Sequence, residues 1–317
     1  MSKPKVYMVD PYYQDAIDLL QSNSSVESII YTDPRKSNWQ EDADALLIRS
    51  ETRLGEAEFS KAKKLKAVVK QGVGIDNVNL EDAKKYGIAV ANTPGLNSEA
   101  VAELTLGLAL SISRRLSEFD RRIRSGEKIV RSKALGKSLY GKTLGVIGMG
   151  NIGKVIAKKW IGAMEGKVIG YDPIAPEWKD IPHTRVQQMD ELLKESDVVT
   201  LHVPLTPQTK HMIGEKEMAL MKKDAILINA ARGGVVDEAA LLKALQEDKL
   251  GGAGLDAMDY EPPTMSAYGD GLLKCENVIM TPHIGGSTIE NQVRSGLASV
   301  ETVLALLEGK DVPGRIV

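Results

Sequence analysis

The feature that most restricts this chain is a glycine pattern: Gly148, Gly150 and Gly153 stand in the order G-x-G-x-x-G, and Asp172 follows nineteen positions later. An apolar run at 143–147 reads as a buried parallel strand and 151–164 reads as a helix, so the glycines occupy a strand-to-helix turn. In that setting each has a separate task. Gly148 allows the tight turn, Gly150 lets the backbone approach a pyrophosphate, and Gly153 lets helix and strand pack closely. Asn151 and Ile152 open the helix, whose unpaired N–H groups can hold phosphate oxygens. The chain is therefore expected to bind a dinucleotide.

Asp172 indicates which one. It follows a second apolar strand, 168–171, that ends on Tyr171. A carboxylate there accepts hydrogen bonds from a ribose 2′-OH and repels a 2′-phosphate, and Pro173 and Ile174 follow it with no adjacent arginine to compensate. NAD is expected over NADP.

At 317 residues the chain has room for two domains at the usual ~150 residues each. Short apolar runs at 6–9, 28–31, 45–48, 67–69 and 88–90, separated by helical patterns, predict a first parallel α/β sheet. An apolar helix at 104–116, with Ser98 as its N-cap, leads into a second sheet that holds the fingerprint and further strands at 197–202, 225–229, 252–255 and 278–280. After Gly286 only one helix remains, 289–307. A lone helix cannot form a domain, so it is expected to return to the first sheet. The fold class is α/β with two parallel-sheet domains: a Rossmann domain, 99–286, inserted in a flavodoxin-like substrate domain, 1–98 plus 287–317, with a ligand cleft between them.

Composition removes several other classes. A formal net charge of −2 offers no basic stripe for a nucleic-acid backbone, and the basic stretches at 61–66 and 114–124 read as solvated helix faces. No apolar run spans a bilayer and no export signal is evident, so a cytoplasmic location is the default. Cys275 is the only cysteine, and no spacing suggests a metal site.

Chemistry is expected at the strand ends of the second sheet. Arg232 follows the strand at 225–229, Glu261 precedes Pro262 and Pro263, and His283 follows Thr281 and Pro282. A protonated histidine can give a proton to a ketone oxygen as hydride reaches the carbon. A carboxylate on its other ring nitrogen fixes the tautomer and favours the imidazolium. An arginine fork can grip a substrate carboxylate. The set suits reduction of a 2-keto acid. Of the other histidines, His183 and His211 read as surface residues, whereas His202 ends a strand near the cofactor.

These motifs resemble those of the D-isomer-specific 2-hydroxyacid dehydrogenases over essentially the whole chain. The resemblance runs through the glycine turn, 201–206, the signature 229–237 and 281–286. It implies that Arg232, Glu261 and His283 are catalytic, with Arg232 and His283 also facing substrate and NAD. It further places Thr105, His202, Val203, Pro204, Thr209, Ala230, Asp256 and Gly285 along the NAD cleft, and the N–H groups of Gly72, Val73 and Gly74 on the substrate carboxylate. A homodimer built largely through the nucleotide domain is also implied.

Within the family the chain is most similar to the 3-phosphoglycerate dehydrogenases, through 47–52, 74–78 and 92–98. Arg49 and Ser50 then fall near the substrate phosphate, Lys70 stands where many such enzymes carry a second arginine, and Arg131 matches a residue that reaches across the dimer. The segment 256–261 lacks the phenylalanine common two positions after Asp256, and the sequence stops after Val317, so no C-terminal regulatory domain is expected. Two alternatives stay open: a phosphate-free 2-keto acid reductase for glyoxylate, hydroxypyruvate or a bulkier keto acid, and an NAD(H)-sensing binding protein like the C-terminal-binding corepressors.

Overall fold

The computed structural model describes residues 3–317. They divide into two compact units, residues 3–97 with 286–317, and residues 98–285. The first unit holds β1 (Lys5–Met8), β2 (Glu27–Ile29), β3 (Ala45–Ile48), β4 (Ala67–Lys70) and β5 (Ala89–Asn92), all parallel, in the order β2-β1-β3-β4-β5. That is the flavodoxin-like order. The sheet is covered on both faces, which is why its strands read as unbroken apolar runs: Val6 and Met8, Leu47 and Val69 enter one core, whereas Tyr7, Leu46, Ile48 and Val68 enter the other. The terminal helix, Ile289–Leu307, returns as expected, burying Val300 and Val303 in the first of these cores.

The second unit is a seven-stranded parallel sheet of β6 (Leu144–Ile147), β7 (Val168–Tyr171), β8 (Thr184–Arg185), β9 (Val198–Leu201), β10 (Ile226–Asn229), β11 (Gly252–Leu255) and β12 (Val278–Met280), in the order β12-β11-β10-β9-β6-β7-β8. Counted from β6, this is the 3-2-1-4-5-6 dinucleotide-binding order with one strand added at the far edge. The helix after the fingerprint runs Asn151–Met164. β8 is only two residues long, too short to stand out in a sequence.

Two expectations need correction. The entry helix is Ser98–Ser113, not 104–116: Ser98 is already helical, and the chain breaks at Arg115, which takes a left-handed φ of 56° before a second helix, Leu116–Arg124. Apolar periodicity carried across the break because Leu116 is itself apolar, although it lies 54% exposed. The basic stretch at 114–124 is not simply solvated either. Arg115 and Arg122 both bond the buried Glu118 carboxylate, at 2.6 and 2.7 Å, and the Arg115 bond leads the effects holding that carboxyl below the ordinary range.

Candidate active site

β6 lies between β7 and β9, where strand order reverses and the loops leaving the sheet diverge. Ligands of open parallel sheets gather at such a point. Gly148 follows β6 with φ +99°, and a Cβ there would drive into the His202 carbonyl after β9. A Cβ on Gly153 would strike the Gly148 carbonyl and the Val146 side chain. At Gly150 it would meet nothing within 4 Å. The turn is thus closed toward the protein and open at Gly150, the residue expected to admit a pyrophosphate, and the exposed Asn151 and half-buried Ile152 start the helix beside it. Trp178 braces the turn by donating its indole N–H to the Met149 carbonyl at 2.8 Å.

The loop after β9 is held from within. Thr209 donates to the Pro204 carbonyl at 2.6 Å and receives the Thr206 N–H at 2.8 Å, which fixes the half-buried Val203 and exposed Pro204 just beyond the end of β9. His202 Nε2 meets the Thr200 hydroxyl at 3.0 Å. Burial pushes its imidazole down to about 3, so the ring is neutral at physiological pH and is no proton donor. Thr105 is 1% exposed, with its hydroxyl on the Val101 carbonyl at 2.8 Å, so the helix satisfies it internally. His183, read as a surface residue, is half-buried against Trp178 with Nδ1 on the Ile181 carbonyl at 2.8 Å. His211 is exposed as read.

Asp172 sits at the end of β7 beyond the half-buried Tyr171 and before the exposed Pro173. Its Oδ2 accepts the Met149 N–H, and its Oδ1 accepts the Ile174 and Ala175 N–H groups, each at 2.8 Å. Burial works to raise this carboxyl, but the three backbone donors and the charge of Arg185 hold it below the ordinary range. A carboxylate offers about four acceptor positions. One therefore remains for a ribose hydroxyl. No arginine adjoins Asp172 in sequence, but Arg185, on β8, donates to the Asp172 main-chain carbonyl at 2.6 Å. It comes from the neighbouring strand, thirteen residues away, where sequence adjacency gives no sign of it.

At the other side of the sheet the three chemical residues come together. Glu261 Oε2 accepts the His283 Nδ1–H at 2.8 Å, and Arg232 acts electrostatically on the same carboxylate. Burial works to raise the Glu261 carboxyl, but the bond and charge of His283, the Met258 N–H and the Arg232 charge bring it below the ordinary value. The pair is open to solvent, at 42% and 33% side-chain exposure. Arg232 donates to the Ala231 carbonyl at 2.7 Å and receives the Asn229 amide on its own carbonyl, which sets its direction just after the half-buried Ala230.

The supports of this trio were not foreseen as such. His283 takes a left-handed φ of 53°, a conformation costing on the order of 1–3 kcal/mol unless its surroundings impose it. Asp256 imposes it. Buried at 2% exposure, it accepts from the Thr281 hydroxyl at 2.6 Å and from the Ile284 and Gly285 N–H groups at 2.8 Å, gripping the loop on both sides of His283. The loop bearing Glu261 is held by three consecutive amides: Met258 N–H on Glu261 Oε1 at 3.0 Å, Asp259 N–H on Glu238 Oε1 at 2.8 Å, and Tyr260 N–H on the Tyr268 hydroxyl at 2.8 Å. Gly233 packs against the same loop, where its Cβ would collide with the Met258 carbonyl, so the Arg232 and Glu261 segments are fixed together.

In the first unit, loop 72–74 has a particular polarity. Its carbonyls accept from the Thr93 N–H, the Asn92 side chain and the Lys70 ammonium in turn, and the Gly72 N–H is bound to the Thr93 hydroxyl at 2.8 Å. Among the described residues the Val73 and Gly74 N–H groups meet no acceptor. Two of the three expected amides are thus available, and Gly72 is not. Lys70 is 6% exposed and its ammonium donates to the Gly74 carbonyl. Arg49 is half-buried, with its N–H on the buried Asp10 carboxylate at 2.5 Å and its guanidinium on the Pro11 carbonyl at 2.9 Å, beside the exposed Ser50. Arg131, in the second unit, is exposed.

A 3-2-1-4-5-6 sheet with a dinucleotide turn at its switch point, and a His–Glu pair beside an arginine at its later strand ends, is the equipment of a nicotinamide-dependent dehydrogenase. Residues 106–285 match the model of the D-isomer specific 2-hydroxyacid dehydrogenase NAD binding domain, and the chain belongs to that family of oxidoreductases, with NAD as its cofactor. It is 42% identical to a D-3-phosphoglycerate dehydrogenase of Methanocaldococcus jannaschii over 96% of its own length, although it spans only 58% of that relative. It is 40% identical to a hydroxypyruvate reductase of Thermotoga maritima, with 96% of this chain and 98% of that one covered. Among solved structures, a D-lactate dehydrogenase from Aquifex aeolicus complexed with NAD and lactic acid superposes with a TM-score of 0.83 at 34% identity, covering 96% of each chain. No helix among the described residues is long and apolar enough to cross a membrane.

Proposed function

We propose that the chain interconverts a D-2-hydroxy acid and its 2-keto acid, with 3-phosphoglycerate and 3-phosphohydroxypyruvate as the substrate pair. The observation that carries the reading is the 2.8 Å His283–Glu261 pair with Arg232 acting on the same carboxylate. NAD, when bound, supplies or accepts the hydride. Residues 148–153 would hold its pyrophosphate and Asp172 its ribose. Glu261, kept ionised, holds His283 with Nδ1 protonated, so Nε2 is the atom that gives a proton to the ketone oxygen in reduction and takes it back in oxidation. The Arg232 fork binds the substrate carboxylate and polarises the adjacent carbonyl. The unmatched Val73 and Gly74 amides suit a carboxylate oxygen.

Arg49, held at its base by Asp10, is the residue proposed for the phosphate. Lys70 favours the phosphate-free reading, because its ammonium already serves the Gly74 carbonyl. The two readings separate in kcat/KM for 3-phosphohydroxypyruvate and hydroxypyruvate, measured for the wild type and Arg49→Gln. A phosphate site loses efficiency on the phosphorylated substrate alone. Equal losses, or a native preference for hydroxypyruvate or glyoxylate, would transfer the assignment to a phosphate-free reductase. We also propose a homodimer formed through the second unit, supported by apolar side chains left exposed at 116–140: Leu116, Ile123, Val130, Leu135 and Tyr140 are between 54% and 71% exposed. Light scattering at micromolar concentration tests it, and a monomeric mass would refute it.

A further inference from the structure

We propose that Lys70 is a positioning residue: by holding the Gly74 carbonyl it turns the Ile75 N–H outward, so that Val73, Gly74 and Ile75 form a three-amide seat for the carboxylate of the keto acid. The inference rests on the assignment of keto acids to this chain and extends it to how the first unit would hold them. The loop leaving β4 has its carbonyls taken in succession. Gly72 O accepts the Thr93 N–H at 3.1 Å, Val73 O accepts the Asn92 side-chain amide at 2.6 Å, and Gly74 O accepts the Lys70 ammonium. All three donors stand at the ends of β4 and β5.

These peptides are trans, and in a planar trans peptide the carbonyl of one residue and the N–H of the next point in opposite directions. Three carbonyls turned toward the strand ends therefore turn the N–H groups of Val73, Gly74 and Ile75 away from them. Among the described residues none of these three N–H groups meets an acceptor. Successive N–H groups facing one way make an anion-binding concavity. The third amide depends on Lys70. Gly74 has no Cβ to restrict the peptide that follows it, and the Ile75 side chain is packed against the second core of its sheet. Without the ammonium that peptide can turn while the residue on either side stays in place.

The test is Lys70→Met, which keeps the stem and removes the donor. It should raise KM for hydroxypyruvate and for 3-phosphohydroxypyruvate by the same factor, about tenfold, and weaken inhibition by oxamate, a carboxylate without phosphate, in step. Turnover at saturation and the NADH dissociation constant should each change by less than about twofold on the same reasoning. Replacing Ile75 by its α-hydroxy acid exchanges the N–H for oxygen and leaves the side chain, and should give a similar loss. Combined with Lys70→Met it should add little, because the turned peptide has already withdrawn that donor. The ester protein also decides the matter if Lys70→Met does not fold. A loss confined to the phosphorylated substrate would overturn the proposal in favour of a direct phosphate contact. Wild-type KM in a folded Lys70→Met or in the ester protein would overturn it too, as would full additivity of the two changes. Wild-type protein that reduces no 2-keto acid with NADH would instead overturn the functional reading beneath it.

Discussion

The two ends of the seven-stranded sheet solve the problem of holding a ligand differently. At β6 and β7 the groups proposed to meet the dinucleotide are mainly main chain: an open glycine, a helix start, and a carboxylate fixed by three amides. At β10 to β12 they are side chains held by other side chains and loops, with Asp256 gripping the His283 loop and Glu238 and Tyr268 gripping the Glu261 loop. Binding tolerates no added atoms at the first end. Chemistry at the second end tolerates some loosening but no loss of the titrating group. Substitutions at the two ends should therefore separate cofactor affinity from turnover.

The largest effect is expected from His283→Ala. It should lower kcat by roughly 10²–10⁴ while the dissociation constant for NADH stays near wild type, measured by fluorescence titration. Parallel loss of both would break the division between the two ends. Gly148→Ala is the converse experiment: its Cβ enters the His202 carbonyl at a φ of +99°, so NADH affinity should fall by about 1–3 kcal/mol, roughly 5- to 150-fold. An alanine variant that binds NADH normally would mean the turn relaxes freely.

Glu261→Gln should come third and show in the pH profile. The lowered Glu261 carboxyl stays ionised into acid, so its negative charge faces His283 Nδ1 across the working pH range. Glutamine removes the charge, so the reduction profile should move to lower pH, with a kcat loss of about tenfold at neutral pH. An unshifted profile would remove Glu261 from its supporting role. The smallest effect is expected at Glu238, whose carboxyl burial raises. Glu238→Gln keeps the acceptor for the Asp259 N–H and should stay near wild type, whereas Glu238→Ala should cost about 3- to 10-fold in kcat with NADH affinity unchanged. If alanine lowers only the melting temperature, Glu238 supports the fold and not the site.

Legibility followed the same division. Strands covered on both faces read as unbroken apolar runs, so the principal strands of both sheets could be found, and the fingerprint helix agreed to the residue because a glycine turn marks its start. β8 was missed because two residues carry no periodicity. The entry helix was misplaced because the break at Arg115 depends on a backbone angle that apolar spacing does not report. Among the site residues, Arg232, Glu261 and His283 could be named from chemistry and position. Asp256 was read as lining the cofactor, and its work on the His283 loop appeared only with the fold.

The sequence by itself determined that a dinucleotide turn joins a buried strand to a helix, that an acid ends the next strand, and that an arginine, a glutamate and a histidine follow later strands. These depend on local spacing and on the identity of single residues. Only the tertiary structure decided that Arg185 stands behind Asp172, that Lys70 faces the Gly74 carbonyl, that the Gly72 N–H is taken while those of Val73 and Gly74 are not, and that His202 is held neutral. The physical reason is that charge, burial and hydrogen-bond supply at a site are properties of what surrounds it. In parallel sheets those surroundings come from neighbouring strands, which helical crossovers keep far apart in the chain.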